Sequence, residues 1–415
     1  MSNPRNFHLF ERFGIELEYM IVDAETLDVM PVTDEVLKSV TGEYVNEFER
    51  GPVTWSNELV LHVIELKSTQ PLQSLDGAHV AYQENVRALN ALLAGRGACL
   101  MPTAMHPWMD PFTNTRLWPH GNNEIYDAFN AIFDCRGHGW SNLQSVHLNL
   151  PFANDEEFAR LHAAIRILMP IMPALAASSP IMELKTTGIL DNRMEVYRTN
   201  SSRIPLVTGL VIPEPVFSAE DYQRSILQRL YHEIAPHDPE GILQEEWLNA
   251  RGAIARFERN TIEVRVLDVQ ECPAADLAIV SAITAALRAL SSGHWISLAE
   301  QQKWATESLH EILLDVVHFG EKAVIRDEAY LRVFGASPGA TAGEVWRLIA
   351  AEIVTEMNRA PDEVQRAFDT ILTEGTLSTR ILNALDGKLD RPSVKRVYEG
   401  LCNCLAEGLL FYIQD

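Results

Sequence analysis

The sequence is poor in positively charged residues compared with negatively charged ones. It contains 34 lysines and arginines against 57 aspartates and glutamates in 415 residues, giving a formal net charge of −23 at pH 7. DNA, RNA and anionic membranes bind proteins through basic patches, so we expect no nucleic acid and no membrane as a main partner. A nucleotide such as ATP is not excluded, because it needs only a few arginines and a metal ion at one site.

Cysteines are also few. The five cysteines are odd in number and include no Cys-x-x-Cys pair, so we expect no disulfide framework and predict a reducing, cytoplasmic location. The N-terminal sequence MSNPRNFHLFER has no apolar signal-peptide region. The most apolar stretch, residues 165–182, contains an arginine and three prolines, which predicts a packed helix ending in a loop rather than a membrane span.

The common nucleotide-binding motifs are absent from the sequence. We find no Walker glycine–lysine loop, no Gly-x-Gly-x-x-Gly and no protein-kinase signature. If the protein binds a nucleotide, we therefore expect a less common fold.

The pattern of apolar residues predicts an α+β fold, with strands mainly in the first 270 residues and helices in the last 140. The predicted strands are residues 13–22, 59–66, 98–102, 144–150 and 261–268. The predicted helices are residues 76–93, 155–176, 219–233, 274–291, 304–321, 343–358, 362–373 and 393–412. We infer a catalytic domain over residues 1–300 and a helical region over residues 301–415 that packs on it or continues it.

Two glutamates alternate with apolar residues in the first predicted strand. A period of two places Glu16 and Glu18 on one face and Ile15 and Leu17 on the other. Adjacent carboxylates repel unless a cation, a proton or an arginine lies between them, so a divalent metal is the simplest interpretation. The alternative is an edge strand with one solvated face.

A glutamate and an arginine share one face of the last predicted strand. Glu263 and Arg265 form either a structural salt bridge or a site in which the carboxylate binds a metal and the guanidinium binds phosphate. Arg251, Arg256 and Arg259 precede this strand. In so acidic a protein, this group of arginines indicates a local anion site.

Two further segments present polar residues at strand spacing. Ser145, His147 and Asn149 share one face, where the histidine is either a ligand or a structural hydrogen-bonding residue. Glu58 and Glu65 are seven residues apart and would point to opposite faces of a regular strand. They reach one site only if Glu58 precedes the strand or a bulge intervenes.

Together these strands predict a sheet with one polar face and one apolar face covered by helices. Carboxylates, a histidine and arginines on a concave polar face suit a metal ion and a nucleotide, which points to phosphoryl chemistry.

Six motifs in order resemble the type 2 glutamate–cysteine ligase family, carboxylate–amine ligases of the glutamine synthetase-like superfamily. The motifs are FGIELEYMIVD, ELVLHVIELKS, TAMHPW, SVHLNLPF, ALAASSPI with TTGILDNR, and NTIEVRVLD. The resemblance runs from about residue 12 to 290, with a weaker match at residues 374–380. It implies a curved antiparallel sheet with helices on its outer face, binding ATP and Mg²⁺, or alternatively Mn²⁺, on its inner face.

The resemblance also implies a reaction and roles for individual residues. The family activates a carboxylate, usually the γ-carboxylate of glutamate, as an acyl phosphate, and an amine then displaces phosphate to form an amide. The residues that match metal-binding carboxylates are Glu16, Glu18, Glu58, Glu65 and Glu263. Those expected at the nucleotide are Ser145, His147, Asn149, Arg256 and Arg265, with Glu65, Arg256 and Arg265 in catalysis. Those expected at the acid substrate are His106, Arg193 and Arg198.

One departure from the family pattern concerns the strand of His147. Many relatives have His-x-His-x-Gly where this chain has Ser145-x-His147-x-Asn149, so one potential metal or nucleotide contact is missing. The leading hypothesis is an ADP-forming ligase that joins a glutamate-like acid to an amine, such as cysteine. Its expected partners are small molecules. The sequence does not fix the oligomeric state, and a homo-oligomer is one of the options. The alternatives are a two-metal phosphate-ester hydrolase and a catalytically degenerate binding or regulatory relative.

Overall fold

An eight-stranded antiparallel sheet forms the centre of the protein in a computed structural model that describes residues 6–412. The ten strands are β1 (Gly14–Asp23), β2 (Glu47–Arg50), β3 (Val53–Asn57), β4 (Val63–Ser68), β5 (Ala98–Met101), β6 (Ser145–Pro151), β7 (Ile181–Met182), β8 (Lys185–Thr186), β9 (Ala253–Arg256) and β10 (Thr261–Asp268). Their order across the sheet is β2-β3-β4-β1-β6-β10-β9, and β5 pairs with the second half of β1. Strands β7 and β8 form a separate hairpin.

All five predicted strands are present, although the one predicted over residues 59–66 begins only at Val63, and five short strands were missed, including the two-residue strands β7 and β8. Strands β2, β3 and β9 have only four or five residues each. Strand β2 reads EFER and is largely exposed, whereas all four residues of β9 are buried, so neither shows the apolar–polar alternation that identifies a strand from sequence.

The described residues contain eighteen α-helices. They are α1 (Thr33–Thr41), α2 (Ala78–Ala94), α3 (Pro111–Asn114), α4 (Asn123–Phe133), α5 (His138–Ser141), α6 (Asp155–Leu168), α7 (Pro173–Ala176), α8 (Asn192–Tyr197), α9 (Ala219–Tyr222), α10 (Gln228–Ile234), α11 (Pro273–Ser291), α12 (Leu298–Gln301), α13 (Thr306–Phe319), α14 (Glu328–Val333), α15 (Ala342–Met357), α16 (Asp362–Glu374), α17 (Leu377–Leu385) and α18 (Arg391–Glu407). The predicted helix 155–176 is divided into α6, a 3₁₀ turn and α7, since Pro170 and Pro173 cannot continue the α-helical hydrogen bonds.

The apolar face of the sheet is covered by helices. Ile15, Leu17 and Tyr19 of β1 are fully buried in the main core. Helix α11 lies in that core and packs against α2, α6, α15 and α16. It is the one helix in residues 6–412 with the length and hydropathy to cross a membrane, but 78% of its apolar window is buried inside the protein. Its hydropathy therefore matches its place in the core.

The other face of β1 has two halves. Glu16 and Glu18 are followed on the same face by Met20 and Val22, which belong to a second apolar cluster with Ile381 of α17 and other residues of α17 and α18. These C-terminal helices thus cover the apolar half of this face and leave the carboxylate half accessible. The main core includes residues before and after residue 300, and the domain division proposed there stays a prediction.

Candidate active site

A cavity of about 1190 Å³ lies over the polar half of the sheet. Its walls come from β1, β4, β6 and β10 together with the loops around them. Of the predicted site residues, it is lined by Glu16, Glu18, Glu58, Glu65, Ser145, His147, Asn149, Arg193, Arg256, Glu263 and Arg265.

The strand register brings the carboxylates together. Glu16 of β1 lies opposite Lys67 of β4 on one side and His147 of β6 on the other. Two positions along β1, Glu18 lies directly opposite Glu65. Cross-strand neighbours of like charge destabilise a sheet, so this arrangement requires compensation by a cation or a proton.

Glu58 lies before its strand begins, which is one of the two ways in which the sequence allowed it to reach the same site as Glu65. It follows β3 and precedes β4, so it is not bound by the alternation of either strand. One ligand atom from each of Glu18, Glu58 and Glu65 lies within 4.8 Å of the others. Glu16, Glu65 and His147 form a second such group, and Glu65 belongs to both.

His147 and Glu16 form a partly buried ion pair. The Nδ1 atom of His147 lies 2.8 Å from Glu16 Oε2, and Asn149 donates to Glu16 Oε1 at 3.0 Å. Burial acts to raise the pKa of Glu16, but the hydrogen bond and the charge of His147 outweigh it and lower that pKa to about 2. Burial acts to lower the pKa of His147, yet Glu16 and Glu18 raise it to about 9. The imidazole is therefore a cation that partly neutralises the cluster.

In the remaining carboxylates, burial and mutual repulsion disfavour the charged form. Burial and the charge of Glu16 raise the pKa of Glu65 to about 8, although Ser56 donates to it at 2.5 Å and Lys67 Nζ lies 3.5 Å away. Burial and the charges of Glu65 and Glu18 raise the pKa of Glu58 well above its usual value. A site of buried, mutually repelling carboxylate oxygens suits a hard divalent cation such as Mg²⁺ or Mn²⁺.

Ser145 supports Glu18. Its backbone N–H and its hydroxyl donate to Glu18 Oε2 at 2.7 and 2.9 Å. The hydroxyl oxygen also lies 2.9 Å from His147 Nε2, which as part of a cationic imidazole donates to it. Ser145 thus joins Glu18 to His147.

Arginines border the cluster along β9 and β10. Arg265 forms an ion pair with Glu263, and Arg256 Nη1 lies 3.8 Å from the other oxygen of Glu263. Arg256 Nη2 also donates to Glu258 at 2.5 Å. The Nε atoms of Arg256 and Arg265 are buried without a hydrogen-bond partner. The salt-bridge interpretation of Glu263 and Arg265 thus describes a real contact, and both residues also line the cavity.

Two predicted substrate contacts lie elsewhere. His106 is fully buried, with Nε2 donating to Leu27 O at 2.7 Å and Nδ1 accepting from Met109 N at 2.9 Å, so it holds a loop. Arg198 forms an ion pair with Glu195 at 2.6 Å and does not line the cavity. Neither residue lines this cavity, and their predicted contact with the acid substrate stays a prediction.

Of the upstream arginines, Arg251 binds Glu214 through Nε and Nη2 at 2.5 and 2.6 Å, away from the cavity. Arg259 lines the rim. The sequence did not point to Lys67, which lines the cavity, or to Asp268, which forms an ion pair with the cavity residue Arg193. Lys67 is two residues after Glu65 and therefore lies on the same face of β4, but only the pairing of β4 with β1 places it beside Glu16.

Comparisons with known proteins agree with this architecture. The family model of glutamate-cysteine ligase family 2 (GCS2) matches residues 12–400. An uncharacterized protein of Archaeoglobus fulgidus is 39% identical over 96% of this chain and 99% of its own. A Nocardioides protein named "Putative glutamate--cysteine ligase 2-1" is 25% identical over 75% of this chain and 76% of its own.

Two solved structures share the fold. The glutamate–cysteine ligase of Francisella tularensis, in complex with AMP, superposes with a TM-score of 0.60 at 14% identity, covering 97% of this chain and 90% of its own. A bifunctional glutathione synthetase of Pasteurella multocida gives a TM-score of 0.56 at 14% identity, covering 95% of this chain and 52% of its own. The chain belongs to glutamate-cysteine ligase family 2, as its six motifs predicted.

Proposed function

We propose that this protein is an ATP- and Mg²⁺-dependent carboxylate–amine ligase that releases ADP and phosphate. The observation that carries the proposal is the cluster of five glutamates beside Lys67, Arg256 and Arg265 in one large cavity. Buried carboxylates hold Mg²⁺, and arginines hold phosphate oxygens, so this combination suits a metal–nucleotide complex. The related Francisella enzyme was solved with AMP, which supports a nucleotide as one ligand of this fold.

The cavity has two ends along the strands. Arg256 lies opposite Thr261, and Thr261 lies opposite Pro151, at the end of the sheet where β1 starts. Glu18 lies four residues after the first residue of β1, and Glu65 is its partner on β4. We assign the nucleotide phosphates to the side of Arg256 and Arg265. The acid substrate is assigned to the side of Glu18, where Arg193 also lines the cavity.

The chemistry assigned to this site is two successive displacements. A carboxylate oxygen of the acid attacks the γ-phosphorus of ATP, and ADP leaves. The amine then attacks the acyl carbon of the resulting acyl phosphate, and phosphate leaves as the amide forms and the amine gives up a proton. Arg256 and Arg265 stabilise the charge on the transferring group, while the cavity holds the acid in place. Bound Mg²⁺ would neutralise the β- and γ-phosphates, held by the glutamates.

We assign glutamate as the acid and an amino acid such as cysteine as the amine, in a reducing cytoplasm. The test incubates the purified protein with Mg-ATP, glutamate and a panel of amines. ADP and phosphate should form only when acid and amine are both present. AMP and pyrophosphate as products would refute the acyl-phosphate route. The control is Glu49→Gln, an exposed glutamate of β2 outside the cavity, which should keep the parent's rate.

One observation favours a second function. The two overlapping carboxylate groups that share Glu65 could hold a pair of metal ions, as in two-metal hydrolases. Metal-dependent hydrolysis of a phosphate ester without ATP would establish that alternative. If the protein is instead a catalytically degenerate relative, it should catalyse neither reaction, and calorimetry should show no binding of Mg-ATP.

A further inference from the structure

Arg193 is a buried arginine with one end free. It is the second residue of α8, is 2% exposed and lines the cavity. Its Nε donates to Asp268 Oδ1 at 2.5 Å, and its Nη1 donates to the carbonyl oxygen of Arg265 at 3.2 Å. Its Nη2 is buried and has no hydrogen-bond partner. A buried guanidinium donor without a partner lowers the stability of the folded protein, so we expect this nitrogen to donate to a ligand.

Asp268 reaches the polar face through an irregularity in β10. Val264 pairs with Leu148 and Leu267 pairs with Val146, so β10 contains one residue more than β6 between these points. This bulge places Asp268 opposite Ser145. Without it, strict alternation would send Asp268 to the apolar face with Val264. The bulge therefore gives Arg193 its partner.

Asp268 is itself held by two serines from the ALAASSPI motif. Its Oδ2 accepts from Ser178 N at 2.8 Å and from the Ser179 hydroxyl at 2.9 Å. The Ser179 hydroxyl oxygen also accepts from Arg193 N at 3.1 Å. Asn192 donates to Ser179 O at 2.7 Å. Three motifs from distant parts of the chain thus converge to fix the orientation of one guanidinium.

We infer that Asp268 is a positioning residue that, with Ser178 and Ser179, orients Arg193 so that its free end binds a second, non-reacting carboxylate of the acid substrate. The inference rests on the proposed function, which already takes glutamate, a dicarboxylic acid, as the acid substrate, and it adds the residues that orient Arg193. Because Nε is bonded to Asp268 and Nη1 to the Arg265 carbonyl oxygen, the plane of the guanidinium is fixed and Nη2 is left to donate to a carboxylate oxygen. Asp268 fixes that plane from the opposite edge.

The test compares two ligands that differ in one carboxylate. L-Glutamate has an α-carboxylate that 4-aminobutyrate lacks, while both keep the carboxylate that would be phosphorylated. Calorimetry on the full-length parent protein with Mg²⁺ should show that glutamate binds at least about tenfold more tightly. Asp268→Asn should reduce that preference to about threefold or less and raise KM for glutamate, with KM for ATP within about twofold of the parent.

Two further variants guard against a folding defect in Asp268→Asn. Ser179→Ala removes one donor to Asp268 and should give a smaller loss of the same preference, by about threefold. Arg193→Lys keeps the charge but loses the planar fork, and it should lose the preference as fully as Asp268→Asn does. The double variant should then be no worse than either single one, since both act through one guanidinium.

The outcomes separate this inference from the ligase proposal. If folded Asp268→Asn, or Ser179→Ala when the former does not fold, keeps the parent's preference for glutamate, the positioning role is refuted. An equal rise in KM for ATP would also refute it, because that result indicates general damage. A parent that forms ADP but does not distinguish the two ligands supports the ligase and overturns the inference. A parent that prefers glutamate but forms no ADP supports the inference and overturns the ligase proposal.

Discussion

Glu18 and Glu65 lie directly opposite each other on adjacent antiparallel strands. Both are buried, at 7% and 6% exposure, and Glu58 approaches both. A sheet that aligns two like charges away from water loses stability unless something neutralises them. His147 and Lys67 do so only in part. The pair therefore needs a proton or a bound cation, and the proposed metal site would supply the cation.

Replacing Glu65 should make the stability of the protein largely independent of Mg²⁺. Mg²⁺ at about one hundred times its Kd should stabilise the parent by about 2.7 kcal/mol against EDTA. Glu65→Gln should abolish most of that gain, because both candidate groups use this carboxylate. In EDTA above about pH 8, where Glu65 of the parent ionises, the variant should be at least as stable as the parent, since the repulsion is relieved. Thermal unfolding with and without Mg²⁺ measures both effects.

Glu49→Gln makes the same chemical change on the neighbouring edge strand, outside the cavity. It should keep the full Mg²⁺ stabilisation. A Glu65→Gln protein that responds to Mg²⁺ as the parent does would remove Glu65 from the metal site.

Glu16→Gln and Glu263→Gln should each abolish turnover with little loss of folding. Glutamine keeps the size and one acceptor oxygen but lacks the charge that holds a metal and that pairs with His147 or Arg265. We expect kcat to fall at least about a hundredfold. Steady-state kinetics beside far-UV circular dichroism measures both properties, and near-normal rates in either variant would contradict the metal assignment.

Arg251 and Arg256 should respond differently to the same substitution. Arg251→Met breaks a buried fork with Glu214 and should lower the free energy of unfolding by about 3 kcal/mol, with KM for ATP unchanged. Arg256→Met removes a cation from the cavity and should raise KM for ATP at least about tenfold with a smaller loss of stability. Each variant is the control for the other, and chemical denaturation with kinetics distinguishes them. Equal effects on KM would show that both act through folding.

His162 should make the folded state sensitive to acid. It is fully buried in α6 and stacks on Phe158 with ring centroids 5.2 Å apart. Burial, helped by the charges of Arg166 and Arg251, lowers its pKa to about 3. As pH falls below the ordinary value of 6.5, the unfolded chain binds a proton that the folded protein excludes, so stability is lost between about pH 6.5 and 3.

The His162→Gln variant removes this term. The stability difference between parent and variant should change by about 1.4 kcal/mol per pH unit between pH 6 and 4, with the parent losing more. Chemical denaturation at several pH values measures it. His237→Gln, at an exposed site, should follow the parent's pH dependence. A parallel course for parent and His162→Gln would show that His162 is charged in the folded protein.

The sequence carried more of the fold than of the site. Strand alternation in β1 and β10 correctly placed Glu16 with Glu18 and Glu263 with Arg265. The same rule would put Asp268 on the apolar face with Val264, because a bulge cannot be seen in a pattern of apolar residues. It also could not distinguish Arg256 at the cavity from Arg251, whose partner Glu214 lies 37 residues away in the chain.

By itself, the sequence determined the family, the α+β class and which side chains share a face of each strand, because those follow from local periodicity and ordered motifs. The tertiary structure decided which strands are neighbours and in what register. Register sets Glu18 against Glu65, Lys67 beside Glu16 and Asp268 beneath Arg193. Such pairings depend on contacts between residues far apart in the chain, and these form only when the whole core packs.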